Sequence, residues 1–377
     1  MTGPIFRTPI CDFFDIEYPI VLAGMGGVVS PSGPELTAAV SNAGGLGVLG
    51  GAFLDADELA TAIEATRKLT DRPFGVDTLL PMNVLDGPQK FLATAAGKVF
   101  SSRLLIPRKH QKFADDFRRR HGLGDSDLTP HKLDLKFLER QVEVILDLRP
   151  PVYVAGLGDP GFMVKRAHQL GMKVGVVVGS GRNARKVQKS GVDFVVAQGH
   201  DGGGHNSRVG TLALIPQVVD TVRPLPVLGA GAIMDGRGIV AALALGAAGV
   251  WCGSVFLATP EADLTPGQKQ AVVDGNESST VVSKTFTGKP ARAIRNLWGE
   301  EFEKSGLDPL PMPLQAYLSF DVFRAADLAG RADISPGAAG QGIGLVREIR
   351  PAADVLHTLV DEARELLGSD LGASIEG

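Results

Sequence analysis

Short runs of consecutive apolar residues alternate along the first part of the chain with longer segments whose apolar positions recur at helical spacing. Runs of the first kind suit strands buried on both faces, and segments of the second kind suit helices with one buried face. Strands are predicted at Pro19–Met25, Leu46–Gly50, Phe74–Leu80, Val152–Ala155, Lys173–Val178, Phe194–Ala197, Val227–Gly229 and Gly249–Gly253. Helices are predicted at Pro34–Ala43, where Gly44-Gly45 stops the pattern, and from an Asp55 cap to about Leu69. Further helices are expected at Leu133–Leu148, Gly161–Leu170, Asn183–Ser190, Leu212–Val222 and Gly236–Leu245.

Eight strand–helix units in sequence predict an α/β fold of the (β/α)8 TIM-barrel kind rather than an open doubly wound sheet. The first strand also lacks the G-x-G-x-x-G turn of a dinucleotide-binding sheet. Two segments fall outside the rhythm. Residues 82–132 form an insertion, or lid, after the third strand. Residues 265–377 form a helical C-terminal extension expected to pack on a barrel of residues 1–264. Within the insertion, Arg103, Arg108, Lys109, Lys112, Arg118, Arg119 and Arg120 stand against Asp115 and Asp116. They read either as an anion site or, more simply, as a solvated helix face. The Gly/Pro-rich stretch Ser335–Gly342 reads either as a cover for the barrel mouth or as a plain connector.

Composition narrows the function classes. The 377 residues include 48 Gly but only 17 Phe, 3 Tyr and 2 Trp, as expected where many strand ends turn tightly toward a ligand. A net charge of −4 gives no reason to expect nucleic acid or an anionic membrane as partner. The apolar stretch Ile239–Leu245 is too short to span a bilayer. No basic segment followed by an apolar one marks the N-terminus, so no signal peptide is expected. The two cysteines, Cys11 and Cys252, form neither a C-x-x-C nor a metal spacing, which fits a reducing cytoplasm. Cys252 lies in an apolar strand and reads as a core thiol. Nothing sets the oligomeric state, and a homodimer is compatible with the sequence.

Chemistry concentrates at three strand ends. The sixth strand runs directly into Gln198-Gly199-His200-Asp201-Gly202-Gly203-Gly204-His205. The seventh ends in Gly229-Ala230-Gly231-Ala232 and the eighth in Cys252-Gly253-Ser254. Glycine turns expose backbone N–H groups that can surround a phosphate, and in a barrel the last two strand ends commonly do so. A phosphate-bearing nucleotide cofactor is therefore expected. Gly203, Gly204, Gly231, Ala232, Gly253 and Ser254 would form its cradle, though each glycine alone reads equally well as a turn residue. A metal is not expected at His200, Asp201 and His205, because intervening glycines prevent the shared helical face such sites need.

These stretches, with Pro19–Gly51 and Phe74–Pro81, resemble the nitronate monooxygenases, FMN-dependent (β/α)8 enzymes related to the flavin-dependent enoyl-thioester reductases. The resemblance rests on Ala23-Gly24-Met25-Gly26-Gly27, Ala39 through Gly47, Gln198 through His205 and Gly229 through Gly238. It implies that Ala23, Gly24, Met25, Asp77 and Gln198 face an FMN ring. It also implies that the substrate is a small nitronate or similar anion, oxidised with dioxygen. His205 becomes the candidate catalytic residue, either as base or, if protonated, as partner of the anion; a structural histidine is the plainer alternative. Gln198 equally reads as a tie between loops, and Asp77 as a turn residue.

One departure matters. Many members of that family carry a histidine at the end of the fourth strand, which removes a proton from neutral nitroalkanes. Here the stretch is Val152-Tyr153-Val154-Ala155-Gly156-Leu157, and Ala155 or Gly156 takes the position. A nitronate is already ionised and needs no base, so the missing histidine predicts poor turnover of neutral nitroalkanes. The alternatives are an NAD(P)H-dependent flavin reductase of enoyl thioesters and a flavin-binding protein without turnover.

Overall fold

A computed structural model describes residues 6–28, 30–80, 105–126 and 135–369. Eight parallel strands form the central sheet: β1 (Ile20–Leu22), β2 (Gly47–Gly50), β3 (Phe74–Leu79), β4 (Val152–Gly156), β5 (Lys173–Val178), β6 (Phe194–Gln198), β8 (Val227–Ala230) and β9 (Gly249–Cys252). Their order is β1-β9-β8-β6-β5-β4-β3-β2, and a parallel bridge from Val21 to Leu46 joins the two ends into a barrel. The fold is the expected (β/α)8 barrel.

The apolar runs form strands because both faces are covered. Val152, Val154, Val196 and Leu228 point into the barrel, while Tyr153, Ala155, Val195 and Val227 join the larger core beneath the helices. Helix Pro9–Phe14 contributes Ile10, Cys11 and Phe14 to the interior cluster, and Phe14 meets Phe194 at 5.0 Å between ring centroids. Since Phe194 begins β6, this helix plugs the end of the barrel opposite the candidate loops.

Helix Ala56–Leu69 starts on the expected cap. The Asp55 side chain accepts from the Asp57 and Glu58 amides, and Glu58 reaches back to the Asp55 N–H. Helix Gly181–Gln188 begins before the predicted Asn183 because the Ser180 hydroxyl caps it by accepting from the Asn183 amide. The eighth helix of the ring comes from far along the chain. Ala352–Gly368 packs between helices Gly236–Ala244 and Pro34–Asn42, with Leu356 and Val360 deeply buried.

The region after residue 264 is not solely helical, which corrects the expected helical extension. Strands β10 (Thr280–Ser283) and β11 (Ala291–Ile294) pair antiparallel, and β11 also pairs with β7 (Gly204–His205). A β-branched run at Thr280–Val282 was the available signal. Part of the insertion joins this region. In helix Arg108–Arg120, Phe113 and Phe117 pack on Trp298, and Arg118 pairs with Asp321 at 2.9 Å. Arg120 and His121 both pair with Glu301. The basic residues at 118 and 120 thus dock the helix onto the C-terminal region; Arg103 lies outside the described residues.

Candidate active site

The loops after the barrel strands, the β10–β11 hairpin and the segment from Ser335 enclose a cavity of about 850 Å³. That lies within the roughly 300–1,000 Å³ of ordinary ligand pockets. Every residue expected at the site lines it: Ala23, Gly24, Met25, Asp77, Gln198, Gly203, Gly204, His205, Gly231, Ala232, Gly253 and Ser254.

The cradle is built from unused backbone donors. None of the Gly231, Ala232, Gly253 and Ser254 amides donates a hydrogen bond to another of the described residues. Gly231 has φ +115° and Ala232 φ +54°, so the chain passes through two left-handed residues as it leaves β8. Successive residues of this kind form concavities that favour anions. A Cβ at Gly231 would stand 2.4 Å from the Thr211 hydroxyl, so only glycine fits there. The Ser254 hydroxyl accepts from the Gly340 amide at 2.8 Å, which leaves its own proton free to donate. Gly340 belongs to the Gly/Pro-rich stretch, and the neighbouring Gln341 amide donates to the Asp201 carbonyl at 2.9 Å. This stretch therefore covers the site rather than merely connecting helices.

The loop from Gln198 is held by its own side chains. The Gln198 amide nitrogen donates to the carbonyls of Gly203 and His205 at 3.1 and 3.0 Å, leaving its oxygen to accept from a ligand. Asp201 accepts from the Thr211 amide at 2.7 Å. Burial opposes ionisation of its carboxyl, but the Thr211 hydrogen bonds outweigh it and hold the pKa below the ordinary value. His200 is tied to the Ser207 carbonyl at 2.8 Å. Cys252 is buried, and burial pushes its thiol up to about 12.

His205 sits at the edge of the cavity with a definite ring partner. Its Nε2 lies 2.8 Å from the Thr287 hydroxyl, and its ring borders the cavity while protein packs closely around it. Burial, with a smaller effect from Lys289, pushes its pKa down to about 4. The imidazole is therefore held toward its neutral form near pH 7. Lys186, Arg208, Lys289 and Arg292 all bring positive charge to the cavity wall, and no sequence motif pointed to Lys289. It sits in the turn between β10 and β11, has no carboxylate partner among the described residues, and its pKa is pushed down by burial. β11 also brings the buried Arg292, which donates to the His200 carbonyl at 3.1 and 3.2 Å.

Strand alternation decides between Ala155 and Gly156. Ala155 lies in the outer core, whereas Gly156 lines the cavity, so the position left without a base is Gly156. Asp77 faces the same space from β3.

The chain matches the family described as nitronate monooxygenase over residues 7–362. It is 36% identical to a Mycobacterium tuberculosis protein that bears the name of a monooxygenase, across 96% of this chain and 98% of that one. A Staphylococcus aureus (strain MRSA252) protein bearing the name nitronate monooxygenase is 30% identical over the same shares. Among solved structures, a nitroalkane oxidase from Streptomyces ansochromogenes superimposes with a TM-score of 0.76 at 31% identity, covering 94% of this chain and 98% of that one. FabK from Thermotoga maritima does so with a TM-score of 0.74 at 30% identity, covering 96% and 97%.

Proposed function

The chain belongs to the nitronate monooxygenase family of flavin-dependent oxidoreductases, and from that premise we propose that it binds FMN and oxidises alkyl nitronates with dioxygen. Neutral nitroalkanes are poor substrates. The observation that carries this reading is a cavity with a cation, Lys289, on its wall and no side chain at Gly156 to serve as base.

The residues present suit the cofactor. Four free amides and the Ser254 hydroxyl offer donors to a phosphate, and the Gln198 oxygen offers an acceptor to a flavin ring N–H. The backbone at Ala23, Gly24 and Met25 allows close approach of a flat ring. Bound flavin supplies the electron acceptor and the site of reaction with dioxygen. The protein's own part is to hold the anion against Lys289 and to keep His205 neutral. An imidazole with a pKa of about 4 is a weak base, so it does not replace the histidine missing at Gly156. The cysteines Cys11 and Cys252, both unpaired, support a cytoplasmic setting.

The test compares kcat/KM for one compound supplied as the pre-formed nitronate and as the neutral nitroalkane. A positioned base contributes about 10²–10⁴-fold, and a preference of that order for the nitronate is expected. Equal values would overturn the preference. The sequence resemblance to the flavin-dependent enoyl-thioester reductases carries a second reading, NAD(P)H-dependent reduction of enoyl thioesters. Rapid anaerobic bleaching of the flavin by NADPH, without nitronate turnover, would select it.

A further inference from the structure

Asp77 lies near the end of β3 with its side chain on the cavity side, yet no N–H or O–H among the described residues donates to its carboxyl. A carboxylate without donors or a nearby cation is poorly placed to hold its charge. Two glycines frame it. A Cβ at Gly24 would stand 2.2 Å from the Asp77 Cβ and 2.9 Å from its Oδ2, so the loop after β1 lies directly over the side chain. A Cβ at Gly156 would stand 3.7 Å from Oδ1 and only 2.8 Å from the Leu79 Cδ2, so on the β4 side the carboxyl meets an apolar side chain and no side-chain donor.

The neighbouring elements bring no compensating charge. The stretches 23–28 and 47–54, which follow β1 and form β2 with its loop, contain no titratable residue. β4 brings the Tyr153 phenol, which faces the outer core and hydrogen-bonds the Thr78 hydroxyl at 2.9 Å. Asp159, beyond β4, is engaged by the Ser190 hydroxyl at 3.0 Å and by Lys186 at 3.9 Å.

We propose that Asp77 works as a neutral carboxylic acid that donates a hydrogen bond to an electron-rich acceptor on the cavity floor, either the substrate anion or the cofactor ring. Its ionisation then removes the donor and places a negative charge against that acceptor. Burial raises its pKa well above the ordinary aspartate value, in keeping with this role. The substrate arm rests on the nitronate reading above; the protonation state does not.

The experiment uses flavin-loaded protein. Infrared spectra of wild type and Asp77→Asn at pH 7 are expected to differ by a carboxylic-acid carbonyl band that disappears from wild type in alkali. Side-chain NMR of carbon-13 aspartate in wild type reads the same titration without any variant. Flavin retention and nitronate kcat/KM are then followed with pH. Above the titration, wild type is expected to lose about tenfold per pH unit in one of them, because only the protonated form binds. Asp77→Asn, a neutral donor throughout, is expected to lack that limb. A limb in flavin retention assigns the acceptor to the cofactor, and a limb in kcat/KM alone assigns it to the substrate. Absence of the band and of the NMR titration overturns the proposal. So does a limb that survives in Asp77→Asn and moves instead in Lys289→Arg. Failure of nitronate turnover would sink the functional reading, while the spectra and flavin retention would still decide the role of Asp77.

Discussion

The charge of His205 is set by its enclosure rather than by its residue type. With Thr287 as its ring partner and protein on most sides, protonation of the imidazole carries a desolvation cost that nothing nearby offsets. The consequence for stability has a definite sign. Its pKa falls from 6.5 to about 4 on folding, so the unfolded chain binds the proton more readily. The stabilisation is fully present above pH 6.5 and is lost as pH falls toward 4. It amounts to at most about 3.5 kcal/mol, since each tenfold change in proton affinity is worth about 1.4 kcal/mol. His205→Gln is therefore expected to lose less stability than wild type between pH 6.5 and 4, measured by urea unfolding at a series of pH values. Parallel curves would show that the histidine is not enclosed as described. At this scale the sequence placed His205, Asp77 and Gln198 at the site, since strand ends and glycine turns are local features. It did not reveal which of them carries charge, because desolvation depends on neighbours distant in the chain.

The barrel strands were legible because each is a short apolar run between turn residues, and that pattern needs no knowledge of its partner. The β10–β11 hairpin was not, because its second strand, Ala291-Arg292-Ala293-Ile294, carries a buried arginine that breaks the apolar pattern. Arg292 lies opposite Gly204 in the β11–β7 pairing, and its guanidinium holds the His200 carbonyl and the Thr280 hydroxyl. Lys289 reaches the cavity only because this hairpin is anchored there, which explains why no motif announced it. Arg292→Ala leaves the His200 carbonyl without that donor and empties buried space. Loss of such a partner costs about 1–3 kcal/mol. Stability should fall by that order, with a parallel loss of bound flavin as the loop from Gly199 to His205 loosens. Arg292→Lys should recover only part of either, since an ammonium lacks the guanidinium's fixed fork. Full flavin retention in Arg292→Ala, read by absorbance after gel filtration, would show that the hairpin does not shape the site.

The whole molecule is closed by its last helix. Between β9 and Ala352 the chain leaves the barrel, forms the hairpin, crosses the cavity as the segment from Ser335, and returns to fill the gap in the helical ring. The return is a tight fit. A Cβ at Gly236 would stand 2.4 Å from the Ala363 amide nitrogen, and the Gly236 amide donates to Glu362 at 2.8 Å. Leu356 is fully buried, and its Cδ1 would lie 2.7 Å from a Cβ at Gly45. Because Gly236 opens the helix that follows the Gly231-Ala232 turn, the last helix buttresses the cofactor cradle from behind. Leu356→Ala removes a core side chain at this seam, and such changes cost about 2–5 kcal/mol. Leu367, on the same helix but 48% exposed, supplies the control, and Leu367→Ala is expected to change stability by less than about 0.5 kcal/mol. Unfolding followed by circular dichroism and by flavin release should show Leu356→Ala lowering both midpoints together, because the ring and the cradle share one support. If the protein is destabilised while flavin affinity is unchanged, the last helix closes the barrel without holding the site.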